Sequence, residues 1–134
     1  MNVNQKGNFT ELQVMLSAIE KGYTVSIPYG DCDRYDQIWD NKQKLLRVQI
    51  KTARWKDERK IAFTFNCYSV VNRKKHKYTS NEIDYFATFW ENKCYLIPIE
   101  ECSLEKTLWY ELPPKNYQNC CLAQQYELQE VSKI

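Results

Sequence analysis

Histidine is almost missing from this chain. His76 is the only one in 134 residues, and none of the six cysteines forms a CxxC pair. A structural zinc site therefore lacks its usual ligand spacing. Cys32, Cys67, Cys94 and Cys102 are scattered and Cys120 and Cys121 are adjacent, while nothing else about the chain looks secreted. Cys67 and Cys94 fall inside apolar, strand-like runs and read as small core residues in a reducing compartment. No apolar run approaches the roughly 18 residues that a membrane span needs. The opening "MNVNQKGNFTEL" lacks the basic-then-apolar order of a signal peptide, so a cytoplasmic protein with no membrane partner is expected. A dominant charge sign is missing too. With 19 Lys+Arg against 17 Asp+Glu the formal net charge is +2, too small by itself to argue for a polyanionic partner. There is no internal repeat, low-complexity tract or linker.

What is present describes one domain spanning 1–134. Hydrophobic residues make up 43% of the chain, enough for a real core at this length. From Asn8 to Lys21 the apolar residues Leu12, Met15, Leu16 and Ile19 recur at helical spacing, with Asn8 and Glu11 as a capping pair and Gly22 as the stop. "YTVSIP", "RYDQIWD", "KLLRVQIKTA" and "KIAFTFNCYSV" read as strands, with "RWKDER" a charged loop or long hairpin tip and "NRKKHK" an exposed connection. Capping residues before an apolar run predict a second helix from Glu82 to Glu91, with Tyr85, Phe86, Phe89 and Trp90 packed on the sheet. "KCYLIPI" reads as a short buried strand and "TLWYEL" as a further strand. "NCCLAQQYEL" reads as a short helix after the "PPKN" break. The order gives an α/β fold with a mixed central sheet flanked by helices.

The charges are unevenly spread. Between Lys42 and Lys60 eight basic residues stand against two acidic ones, and a second cluster runs from Arg73 to Lys77. The strand "LLRVQIKTA" carries Gln49 and Lys51 two positions apart, hence on one face, with Val48 and Ile50 on the other. Asp36 lies thirteen positions before Gln49. A tight turn at Asn41–Gln43 brings its strand alongside, and Glu11 on the first helix can look at the same end of the sheet. Carboxylates, an amide oxygen and an ammonium gathered in this way suit phosphodiester hydrolysis. Hard Mg²⁺ prefers oxygen ligands and activates water, and a lysine stabilises developing phosphate charge.

Asp36, twelve residues and then "QIK" resembles the PD-(D/E)XK nuclease motif, with Gln49 in the D/E position. The likeness extends over "GNFTELQVMLSAIEKGYTVSIPYGDCDRYDQIWD", "LLRVQIKTA", "EIDYFATFW" and "CYLIPIEEC", roughly Gly7 to Cys102. Together these stretches resemble the small PD-(D/E)XK homing endonucleases encoded within bacterial group I introns. The resemblance implies a restriction-endonuclease-like core in a bacterial cytoplasmic protein. It also implies Mg²⁺- or Mn²⁺-dependent double-strand cleavage of DNA at an intron-insertion site. It carries Asp36 over as principal metal ligand, Gln49 as a ligand in the acidic slot, Lys51 as catalytic lysine and Glu11 as the helix acid that positions metal or water. It further suggests a tetramer.

Size alone asks for at least a dimer. A compact chain of this length has a diameter of roughly 36 Å, about one turn of duplex DNA at roughly 34 Å, whereas two strand cuts need two sites. The basic clusters supply candidate DNA contacts, namely Arg54, Lys56, Arg59 and Lys60 in the first and Arg73, Lys74, Lys75, His76 and Lys77 in the second. A single histidine argues against an HNH-type site, and the GIY–YIG and LAGLIDADG signatures are absent. Three readings stay open at this level: a homing endonuclease, another PD-(D/E)XK nuclease such as a restriction enzyme or Holliday-junction resolvase, and a DNA-binding module of the same fold that lost its chemistry through Gln49.

Overall fold

The computed structural model describes residues 1–115 and 118–132, which leaves Asn116 of the expected "PPKN" break outside the described residues. Helix α1 spans Val3–Glu20 and starts earlier than the sequence suggested. Its capping box is Asn2 with Gln5: the Gln5 N–H donates to Asn2 Oδ1 and the Asn2 N–H to Gln5 Oε1, both at 2.9 Å. Asn8 and Glu11 therefore lie inside the helix, and Glu11 is no capping residue. Gly22 ends the helix as expected, with φ +95° and its N–H on the Ile19 carbonyl. The apolar positions singled out above have helical spacing but not the buried face. Thr10, Val14 and Ala18 face the protein, while Leu12, Leu16 and Ile19 are exposed. Small inward residues let the helix axis sit close to the sheet.

That sheet has five strands: β1 (Thr24–Ser26), β2 (Gln37–Asp40), β3 (Leu45–Ile50), β8 (Tyr85–Trp90) and β9 (Lys93–Pro98). They run in the order β1-β2-β3-β8-β9, and only the β3–β8 pair is parallel. Val14 and Ala18 of α1 pack over Trp39, Leu46, Val48, Ile50 and Ala87 on one face. The other face is covered by a second sheet in the order β11-β10-β5-β4, built from β4 (Arg54–Trp55), β5 (Ala62–Asn66), β10 (Glu105–Trp109) and β11 (Cys121–Leu122). Phe63, Phe65, Cys67, Ile83, Phe86, Tyr95 and Ile97 fill the space between the sheets. A ribbon of β6 (Tyr68–Val71) and β7 (Lys74–Lys77) pairs only with itself. The mixed sheet is as expected, but among the described residues α1 is the single α-helix. It is not long and apolar enough to cross a membrane.

The helix expected over Glu82–Glu91 is strand β8. The capping signal there is real but serves a single turn: the Thr79 N–H donates to Glu82 Oε1, and the Ile83 N–H to the Thr79 carbonyl. The chain then enters the sheet, where Phe86 faces the inter-sheet core and Ala87 the helix layer. A strand buried on both faces loses the alternation that marks a half-buried one. Glu91 and Asn92, with φ +48° and +66°, form the two-residue turn into β9. The expected strand "KIAFTFNCYSV" divides at Cys67 into β5 and β6, which join different sheets, and "NRKKHK" is a turn followed by β7 rather than a connection. "NCCLAQQYEL" contains the two-residue β11 and a 3₁₀ turn at Ala123–Tyr126 in place of a helix. Strands β1 and β9 fall within the expected stretches, and β10 overlaps "TLWYEL" but starts two residues earlier, at Glu105. No disulfide forms among the described residues, and Cys67 and Cys94 are buried as expected.

Candidate active site

The β2–β3 hairpin fixes the first two site residues. Its turn is held by Asn41, whose side-chain oxygen accepts the N–H groups of Gln43 and Lys44, with Lys42 at φ +73°. Gln37 pairs with Val48, so one further step of the same register sets Asp36 beside Gln49. Hydrogen bonds hold it there: the Asp36 N–H donates to the Val48 carbonyl at 2.9 Å, and the Ile50 N–H donates to Asp36 Oδ2 at 3.0 Å. Asp36 thus replaces a ladder carbonyl with its own carboxylate. Burial raises its pKa, while the Ile50 hydrogen bond and the nearby Lys51 ammonium pull the other way.

Lys51 extends β3 by donating its N–H to the Ala87 carbonyl at 3.0 Å. Its Nζ donates to the Tyr68 carbonyl at 2.9 Å and lies 5.0 Å from the Tyr78 ring centre. Burial lowers its pKa and Asp36 opposes that shift. Gln49 is 9% exposed. Its Nε2 reaches the Ile50 carbonyl only at 3.5 Å, and its Oε1 is buried with no hydrogen-bond partner. A buried, unpartnered amide oxygen beside an aspartate is costly to the fold alone and is suited to a hard cation.

Glu11 approaches from α1. The helix is pinned on both sides of it, by the Gln37 Nε2 donating to the Glu11 carbonyl at 3.1 Å and by the Thr10 and Thr52 hydroxyls 3.2 Å apart. Gln37 is itself oriented by the indole N–H of Trp39, which donates to Gln37 Oε1 at 2.9 Å. The Glu11 pKa is raised to about 6, by burial first and then by the Asp36 charge. Asp36 therefore acts electrostatically on both Glu11 and Lys51, and the four residues named from the sequence do assemble. Among the described residues no three His, Cys, Asp or Glu side chains cluster as a metal site. The donor set on offer is two carboxylates and the Gln49 oxygen, all hard ligands. That suits Mg²⁺, which keeps several waters and takes one or two carboxylates.

The two basic clusters part company. Arg54, Lys56, Arg59 and Lys60 belong to the β4–β5 hairpin, where Arg54 is paired with Glu105 and Arg59 with Asp57, both at 2.8 Å. Lys56 and Arg59 lie about 6 Å from the Trp109 ring. Arg73, Lys74, Lys75, His76 and Lys77 stand exposed on the β6–β7 ribbon, whose tip turns through Asn72 and Arg73 at φ +52° and +64°. This ribbon joins the site directly, because Tyr68 holds Lys51.

Sequence reasoning missed the residue that ties them together. Arg34 stacks 3.7 Å over the Tyr78 ring and donates to the carbonyls of His76 and Lys77, to Ser69 Oγ and to Glu82 Oε1. It stands two residues before Asp36 and clamps the base of the ribbon beside the site. Nothing in its spacing announces this, since all its partners lie 35 or more positions away.

The fold has a solved counterpart in a bacterial homing endonuclease, I-Ssp6803I. The two superpose with a TM-score of 0.74 over 95% of this chain and 89% of that one, at 19% identity. At that identity the likeness is one of fold. No curated protein sequence matches the chain. The family model of the PD-(D/E)XK endonucleases, however, matches residues 1–129, almost the whole length: the chain belongs to the PD-(D/E)XK endonuclease family.

Proposed function

We propose that the chain, as a single nuclease domain over 1–134, is a site-specific DNA endonuclease of the homing type. It makes Mg²⁺-dependent double-strand breaks by phosphodiester hydrolysis at an intron-insertion site, in the bacterial cytoplasm and as an oligomer of at least two copies. The observation that carries this reading is the meeting of Asp36 and Gln49 on paired strands with Lys51 at the strand end and Glu11 above them. Asp36, Gln49 Oε1 and Glu11 would hold the cation, which when bound supplies an activated water and charge neutralisation at the scissile phosphate.

The remaining work falls to this chain's own groups. Lys51, held by the Tyr68 carbonyl, offers its ammonium to a phosphate oxygen as negative charge builds there. Its lowered pKa reflects a desolvated charge, which acts more strongly than one in water. Glu11, whose pKa burial and the Asp36 charge raise to about 6, would give up its proton as the cation is taken up and so help to position the metal and its water. The β6–β7 ribbon is of the kind the major groove admits, and its exposed Arg73–Lys77 would contact phosphates and base edges. The charges of Lys56 and Lys60 would add phosphate contacts.

The test is cleavage of randomised duplex DNA by the purified protein with and without Mg²⁺, read by sequencing the ends. Specific cutting with Mg²⁺, and a Lys51→Ala protein that binds the same DNA but does not cut it, are expected. A preference for four-way junctions over linear duplex would instead assign it the resolvase activity. Binding without cleavage by the wild type would make it a DNA-binding module.

A further inference from the structure

Lys51 and Asp36 attract each other, yet they are held apart. Each acts electrostatically on the other, but no ion pair joins them among the described residues. A direct pair would occupy a carboxylate oxygen that a cation needs and a positive charge that a phosphate needs. Instead Asp36 Oδ2 accepts the Ile50 N–H, and Lys51 Nζ donates to the Tyr68 carbonyl. One acceptor is a weak restraint on an ammonium with three donors and a flexible four-carbon stem. Arg34 repels it, and Cys67 is the other titratable neighbour. The second restraint is the face of the Tyr78 ring, with Nζ 5.0 Å from its centre. An aromatic face attracts a cation, and more strongly where water is excluded.

The ring itself is fixed from several sides. Phe86 meets it edge-on, with centres 5.3 Å apart and planes at 88°. Phe86 is buried and pairs with Gln49 across the β3–β8 ladder, so the ring is tied to the strand that carries Lys51. The Arg34 guanidinium stacks 3.7 Å over it, and the Tyr78 hydroxyl is hydrogen-bonded to Ser69. Tyr78 directly follows β7, and Tyr68 pairs with Lys77 at the start of the ribbon. Both groups that hold the ammonium therefore come from the base of the β6–β7 ribbon. The ring is set rigidly enough to place a charge, and little else about Tyr78 explains its position beside the site.

We propose that Tyr78 is the positioning residue of Lys51: its ring holds the ammonium at the ribbon base and off Asp36, leaving both charges free for the reaction. The consequence for cleavage rests on the nuclease reading, whereas the placement of Lys51 does not. Without the π face the ammonium swings towards Asp36, and the site loses its phosphate contact and a ligand oxygen together. The contribution comes from the electron-rich face of the ring rather than from its bulk, which separates it from ordinary packing.

The test compares Tyr78→Phe, which keeps the ring, with Tyr78→pentafluorophenylalanine, which keeps its outline and removes the attraction of its face. Tyr78→Leu removes the ring altogether. Proton–carbon NMR of the metal-free protein reads the Lys51 Hε signals, assigned against Lys51→Ala. Ring current should shift them upfield in the wild type and in Tyr78→Phe. They should return towards the position of a free lysine in the fluorinated and leucine variants. In plasmid cutting with Mg²⁺ the fluorinated variant should lose about threefold to thirtyfold in kcat relative to Tyr78→Phe, with KM little changed. An unshifted Lys51 in the wild type, or a fluorinated variant that cuts as well as Tyr78→Phe, would overturn the proposal. Should the wild type cut no DNA while Lys51 is shifted in it and released in the fluorinated variant, the placement stands and the nuclease reading falls.

Discussion

Replacing Gln49 by Met should stabilise the protein and disable it. The wild-type amide is 9% exposed, its oxygen has no partner, and its nitrogen makes one hydrogen bond at 3.5 Å, the outer limit of a useful one. A buried acceptor left unsatisfied costs about 1–3 kcal/mol, and Met fills nearly the same unbranched volume without polar atoms. The expected gain is about 1–2 kcal/mol, or a rise in Tm of roughly 3–6 °C for a domain of this size. The cost falls on metal binding. In the wild type Mg²⁺ at a hundred times its Kd should add about 2.7 kcal/mol of stability, and the Met variant should lose much of that increment. Its cleavage at low Mg²⁺ should fall by more than the ~10–100-fold that follows disturbing an outer-shell partner. Calorimetric melts with and without Mg²⁺, paired with a plasmid-cutting assay, read both halves. A variant that melts lower than the wild type and cuts as well would refute the reasoning, because Gln49 would then be an ordinary structural amide.

Gln49→Glu should act in the opposite sense at the same position, tightening Mg²⁺ binding in isothermal titration while lowering the Tm of the metal-free protein by adding a third carboxylate beside Asp36. Glu11 gives a pH signature: its pKa is raised from 4.5 to about 6, so its ionised form is disfavoured by the fold. The stability it allows is complete below pH 4.5 and is lost as pH rises through about 6. Urea unfolding of the metal-free wild type should therefore lose stability over that window relative to Glu11→Gln, and Mg²⁺ affinity should rise over the same window as the carboxylate ionises. Arg34→Ala should free the ribbon from Asp36 and Lys51, lowering kcat by about tenfold or more and raising hydrogen exchange in Tyr68–Lys77. Arg34→Lys should rescue little, because one ammonium cannot serve four acceptors and stack on Tyr78.

The site was legible in the sequence because its geometry is short-ranged. Asp36, Gln49 and Lys51 lie on one hairpin and its extension, and strand alternation with a tight turn is enough to bring them together. Glu11 was legible only as a helical acid; its nearness to Asp36 depends on the buried Gln37 holding the helix at that turn. The misread of β8 as a helix has a different cause. "YFATFW" lies between two cores, and a strand buried on both sides has no period to read, so the cap at Thr79 decided the reading wrongly. The Arg34 clamp was invisible because its meaning lies wholly in partners distant along the chain.

The same helix shows why periodicity and burial must be kept apart. Leu12, Leu16 and Ile19 announce an amphipathic helix correctly, yet the sheet is packed by Thr10, Val14 and Ala18. A wide β-sheet face already lined by Trp39, Leu46, Val48 and Ile50 leaves little depth beneath the helix, and small residues fill it best. The large apolar residues are then surplus to the monomer. Burying each is worth about 1.5–3 kcal/mol, a gain forgone in the isolated chain. The hydrophobic pattern of α1 is thus not used up by the packing of the domain: its small residues face the sheet and its large ones face outward.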